Sequence, residues 1–128
     1  NVLIASKKFN IKSEILKVYL TNLAETRNIC AHDEKLYDIN LRFKISSNKY
    51  HTLLNINKSK GNYTTGVKDL FSIVLILKTL LTKDEFIKFY KILIKNLENL
   101  KKDIKSNHFQ KVLNRMGFPK NYKSLLYI

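Results

Sequence analysis

The stretch "LFSIVLILKTLLTKDEFIKFYKILIKNLENLKKDIKS", residues 70–106, decides the fold. From Val67 to Leu81 the residues are apolar on most sides, so the pattern predicts the most buried helix there. "TKDE", Thr82 to Glu85, fits a capping box. It opens a long amphipathic helix to about Lys105. At about 100° per residue, its inner stripe collects Phe86, Phe89, Tyr90, Leu93, Leu97, Leu100 and Ile104.

Working outward, Ser106 can cap a further helix that ends at "RMGFP". Gly117 suits the left-handed position after a helix, and Pro119 blocks continuation. A short last turn, "NYKSLLYI", is expected to pack back on the body. Upstream, residues 12–33 read as a helix, with Ser13 as N-cap and Glu14 in the first turn. Leu16, Tyr19, Leu20, Leu23, Cys30 and Ala31 fall on one stripe of it. The opening "NVLIASKKFN" is too short for either periodicity to show. Between Asp38 and Thr65 the texture changes: "INLRFKIS" alternates Leu41, Phe43 and Ile45 with polar residues, an extended pattern. "KSKGNYTTG" then reads as a turn. The expected fold is an all-α helical bundle with a long loop or small β excursion around residues 38–65.

The 128 residues suit one domain with a modest core. Apolar residues make up 45% of the chain, which excludes wholesale disorder. Three Gly and one Pro argue against a many-turned β-sandwich. The apolar stretch Leu70–Leu81 falls short of the roughly 20 residues a membrane span needs. One cysteine cannot form an internal disulfide, so a reducing cytoplasm is the expected location. The formal charge is +14, carried by 21 Lys and only 3 Arg. Asn and Ile, at 14 each, share A/T-rich codons with lysine, so base composition supplies part of that excess. What remains is a field that attracts anions, phosphates included.

Three candidates fail as sites. "GNYTTGVK", Gly61 to Lys68, imitates a phosphate-binding loop, but Val67 intervenes before the lysine and Asp69 follows it. His32, His51 and His108 lack ligand spacing, so neither a metal nor another cofactor is expected. Cys30 and His32, two helical positions apart, point to nearly opposite faces, and Cys30 reads as a small buried hydrophobe.

"AETRNICAHDEKLYD", residues 24–38, is different, because it spends a scarce arginine five positions before a histidine. By the helical wheel Arg27 falls inside the apolar stripe, where a guanidinium must be paired, snorkel to the rim or face a partner. Asn28 and His32, four apart, share a neighbouring face. Arg27 and His32 are roughly 140° apart on an ideal helix. Their convergence needs a distortion near His32, a second helix, or the same helix of a second subunit. Such a seam could cleave an RNA phosphodiester without metal. An imidazole would take the 2′-hydroxyl proton, and a guanidinium would hold charge on the phosphorane. Lys35 and Tyr37, just past the helix, are candidates to hold the RNA backbone or stack a base. The plainer reading pairs Arg27 with Glu34 or Asp38 and lets His32 cap carbonyls.

"RNICAHDEKLYD" resembles the signature of the Abi-like abortive-infection family (the AbiD/AbiF type), approximately Arg-Asn-x-Cys-Ala-His followed by Leu-Tyr-Asn. "RMGFPKNY" resembles that family's closing segment. The resemblance implies a helical HEPN-like fold whose Arg-x4–6-His motif is the active site of metal-independent, dimeric ribonuclease toxins of phage defence. By position, Arg27, Asn28 and His32 match the motif, and Leu36 and Tyr37 its tail. Asp33 stands where a second histidine is common, Lys35 for a frequent arginine and Asp38 for asparagine. Family members are longer, so the chain, 1–128, is expected to be the C-terminal portion of one. The implied partners are RNA, a second copy in a homodimer and an antitoxin, with no membrane. The alternative is a non-catalytic module that binds RNA or dimerises.

Overall fold

The computed structural model describes residues 2–32 and 36–128. Six helices run through it: α1 (Val2–Phe9), α2 (Ser13–Ala31), α3 (Lys49–Leu53), α4 (Leu70–Leu80), α5 (Lys83–Asp103) and α6 (Ser106–Met116). A two-residue hairpin, β1 (Lys58–Ser59) and β2 (Asn62–Tyr63), pairs antiparallel with Lys58 opposite Tyr63. Short 3₁₀ turns cover Leu36–Asp38 and Tyr122–Tyr127. The chain is thus all-α with a small β excursion.

Helix α4 is the centre of the core, and Phe71 to Ile76 are all buried. Its N-terminus is capped by Asp69, whose Oδ1 accepts from the Ser72 N–H at 3.0 Å. The other carboxylate oxygen accepts from the Gly66 N–H at 2.9 Å, closing the loop before the helix. That carboxylate therefore occupies the place an anion would need, which is why "GNYTTGVK" is a capped turn and not a phosphate loop. Helix α5 opens with the expected capping box: the Glu85 N–H donates to Thr82 Oγ1, and the Thr82 N–H donates to Glu85 Oε1. Phe86, Tyr90 and Leu97 of its inner stripe are buried. Gly117, at φ 80°, terminates α6. The final 3₁₀ turn packs back through buried Tyr122 and Leu125, and the Tyr90 hydroxyl donates to the Tyr122 carbonyl at 2.7 Å.

The segment between α2 and α4 is where the expectation is incomplete. Leu41 and Ile45 are buried, and their N–H groups donate to the carbonyls of Lys68 and Val67 at 2.7 and 2.8 Å. The extended pattern is real, although among the described residues only the hairpin 58–63 forms a ladder. Phe43 breaks the alternation and stands 45% exposed, because the chain bends at residues 42–43. Helix α3 was not legible. It is capped by Asn48, whose Oδ1 accepts from the Tyr50 N–H while its own N–H donates to His51 Nδ1. The imidazole here does what a glutamate usually does in a capping box. His51 is fully buried, its Nε2 donates to the Gly66 carbonyl at 2.7 Å, and its ring stacks on Tyr63. It is a structural histidine.

Helix α2 turns a different face to the core than hydropathy indicates. Leu16 and Tyr19 are buried as expected, but Leu20 is 44% exposed, and Cys30 and Ala31 are exposed. The third buried position is Asn22, which lies at 0% exposure. The polar side chain is drawn in because its Nδ2 donates to the Phe43 carbonyl. Cys30 is accordingly not the buried hydrophobe expected. No helix among the described residues is long and apolar enough to cross a membrane.

Candidate functional site

Arg27, Asn28 and His32 occupy the last turn and a half of α2, and all three are exposed. The helix ends at Ala31, and His32 is its C-cap at φ −95°, ψ 11°, with its N–H donating to the Asn28 carbonyl at 3.1 Å. His32 has thus left the regular helical path, one of the three ways in which the pair could converge. No hydrogen bond or ring contact joins the Arg27 and His32 side chains among the described residues. Arg27 is not in the core-facing stripe. It stands on the solvent side with Leu20, Ala24 and Ala31, spaced so that all four share one helix face.

The plainer reading of these residues finds partial answers. Among the described residues the one ion pair joins Lys123 to Glu98, so Arg27 is not paired with Asp38. Asp33, Glu34 and Lys35 lie outside the described residues, and with them the expected contact of Lys35 to RNA. Tyr37 lies in the 3₁₀ turn Leu36–Asp38, half-buried, and packs with Leu36 against the core, leaving part of its ring accessible. That turn packs on α2, α4 and α6, so the motif's tail is anchored to the body while its arginine and histidine face solvent.

Two residues beside the motif escaped sequence reasoning. A concavity of about 280 Å³ joins Asn28 to Arg42 and Phe43, with Ala24 and Glu25 on its helical wall. Two hydrogen bonds from α2 hold the bend that puts them there. Asn22 Nδ2 donates to the Phe43 carbonyl, and the Arg42 N–H donates to Glu25 Oε2 at 3.3 Å. The concavity therefore offers a second arginine and an exposed aromatic ring next to Asn28. The signal was present as "LRFK", since arginine is scarce throughout the chain. The alternating pattern, however, assigned Phe43 to the core.

Among the described residues no group of three His, Cys, Asp or Glu side chains could hold a metal ion. The chemistry this surface can perform is that of an imidazole, two guanidiniums and a carboxamide toward an anion: proton transfer, charge stabilisation and orientation. No protein-family model, curated protein or solved structure matches this chain.

Proposed function

We propose that the protein is a metal-independent RNA endonuclease, a cytoplasmic toxin of phage defence, in which Arg27 and His32 are catalytic and Asn28 orients. The observation that carries this reading is where the scarce cation stands. Arg27, Asn28 and His32 are exposed together at one helix end, and Arg27 has no ion pair among the described residues. The resemblance of "RNICAHDEKLYD" to the abortive-infection signature supplies the biological setting.

In the proposed reaction His32 takes the proton from a ribose 2′-hydroxyl. The freed oxygen attacks the adjacent phosphorus. The 5′-oxygen leaves as a hydroxyl once a second proton donor, His32 of a second copy, protonates it. The forked guanidinium of Arg27 stabilises the charge on the phosphorane oxygens better than an ammonium would. Arg42 and Phe43, which share a concavity with Asn28, would hold a neighbouring phosphate and stack a base, with Tyr37 and Lys35 as further candidates for the same work.

Purified protein incubated with total RNA and EDTA is expected to yield fragments ending in 2′,3′-cyclic phosphate. Equal cleavage by His32→Ala overturns the assignment. A non-catalytic dimerisation module is favoured by one observation, the exposed Leu20–Ala24–Ala31 face around Arg27. On that reading Arg27→Ala separates the dimer in size-exclusion chromatography, while the wild-type chain cuts nothing.

A further inference from the structure

A second concavity lies between the hairpin, the end of α3 and the end of α6. It holds about 510 Å³, within the range of small-molecule sites. Its walls are amides and hydroxyls: Asn55, Asn57, Asn114, Asn121, Thr64 and Thr65. Lys120 stands at its edge, Ile56 and Phe118 form an apolar floor, and no carboxylate lines it.

The amides are not interchangeable floating groups. Gln110 Nε2 donates to Asn114 Oδ1 at 3.1 Å, so the Asn114 amide presents its NH₂ as donor. Asn121 Nδ2 donates to the Leu54 carbonyl at 3.0 Å, so its Oδ1 remains as acceptor. On the opposite wall the Asn57 carbonyl accepts from both the N–H and the Oγ1 of Thr64, fixing the backbone that carries the Asn57 side chain. The cleft thus pairs an oriented donor with an oriented acceptor over an apolar floor. That combination suits the edge and face of a nucleobase. The surroundings suit a phosphate. From Ile104 to Ile128 the chain carries Lys105, Lys111, Arg115, Lys120 and Lys123 and no Asp or Glu.

We propose that this cleft binds an unpaired nucleotide, its base held by Asn57, Asn114 and Asn121 and its phosphate by Lys120. The proposal rests on the nucleic-acid part of the function above, not on cleavage. The nucleotide's source is either an RNA strand or a free mononucleotide.

The test uses the full chain carrying His32→Ala, in EDTA, with fluorescein-labelled A12, C12 and U12 RNA followed by anisotropy. Unlabelled AMP, CMP and UMP, and unlabelled A12, C12 and U12, serve as competitors. The parent is expected to discriminate among the homopolymers by about 10-fold. Adding Asn57→Ala with Asn114→Ala removes that discrimination. Lys120→Gln instead weakens all three equally and lowers the salt slope by about 1. All three substituted side chains are exposed, and matching thermal melts separate a lost cleft from a lost fold. Displacement by a mononucleotide assigns the cleft to free nucleotides, and displacement by oligomers alone assigns it to a strand. Unchanged affinities in the amide variant overturn the proposal, even where the wild-type chain cuts RNA. Binding with the expected variant effects but without cleavage by the wild type overturns only the nuclease.

Discussion

Asn22 holds Phe43 by its main chain: from a side chain wholly removed from solvent, Nδ2 donates to the Phe43 carbonyl at 2.9 Å, while the Phe43 ring stands 45% exposed. One hydrogen bond thus links the buried face of α2 to the bend that sets Arg42 and Phe43 beside Asn28. Among the described residues the Asn22 Oδ1 has no hydrogen-bond partner, so the amide is retained at a desolvation cost. Asn22→Ala is expected to lower stability by about 1–3 kcal/mol in a denaturant melt. Asn22→Asp should cost more, because it sets a buried carboxylate against a carbonyl. RNA cleavage should fall in both beyond what unfolding explains. Wild-type stability in Asn22→Asp would show that the bond does not form.

The same residue explains where the sequence could be read and where it could not. Helices α4, α5 and α6 were legible from hydropathy and local chemistry, although two expected caps do not form. Helix α6 opens at Lys105 and α2 at Lys12, neither with a side-chain cap hydrogen bond, and Ser106 and Ser13 are instead the first helical residues. The Thr82–Glu85 pair and Gly117 each mark a boundary by local chemistry alone. The face of α2 was not, since hydropathy cannot foresee that an asparagine will be buried for a partner 21 positions away. Helix α3 was missed for a related reason. Its cap uses a histidine that is buried only because Gly66 and Tyr63 come round to meet it. Arg27, Asn28 and His32 stood out by type and motif, yet their exposure depends on that rotation of α2. Arg42 and Phe43 needed the bend itself.

Gly117 ends α6 at φ 80°, and a Cβ there would meet the carboxylate of Asp69, the cap of α4. The glycine is required twice, by its left-handed backbone and by the closeness of a second helix terminus. Gly117→Ala is expected to cost roughly 2–3 kcal/mol, from the left-handed penalty plus the displaced cap. Combined with Asp69→Asn it should cost less than the two single losses added, since both damage one contact. Strict additivity in a double-mutant cycle would show that the two termini are independent.

Burial raises the Asp69 carboxyl above its ordinary value, against the Gly66 and Ser72 N–H groups that pull it down. A carboxyl whose folded pKa exceeds its unfolded one favours folding most below the unfolded value. That advantage is lost as pH rises through the folded value, because the unfolded chain releases its proton first. The melting temperature of the wild type minus that of Asp69→Asn should therefore decline across this interval and be flat on either side. A difference that grows with pH would mean that the two N–H bonds outweigh burial.

Exposed residues that the fold does not use can be removed without harm to it, and this separates catalysis from architecture. Arg27→Ala and His32→Ala should leave stability within about 0.5 kcal/mol of wild type, as expected for solvent-facing positions. Cleavage should drop by about 10²–10⁴ in His32→Ala, the usual weight of a general acid or base. Arg27→Lys keeps the charge but loses the fork, so it should recover only part of the activity lost in Arg27→Ala. Leu20→Lys leaves the motif intact and sets a charge on the exposed face that Arg27 shares. If two copies form the site, this variant should be monomeric and inactive at concentrations where the wild type cuts, and regain cleavage as its concentration rises. A monomeric Leu20→Lys with full activity would place the whole reaction within one chain.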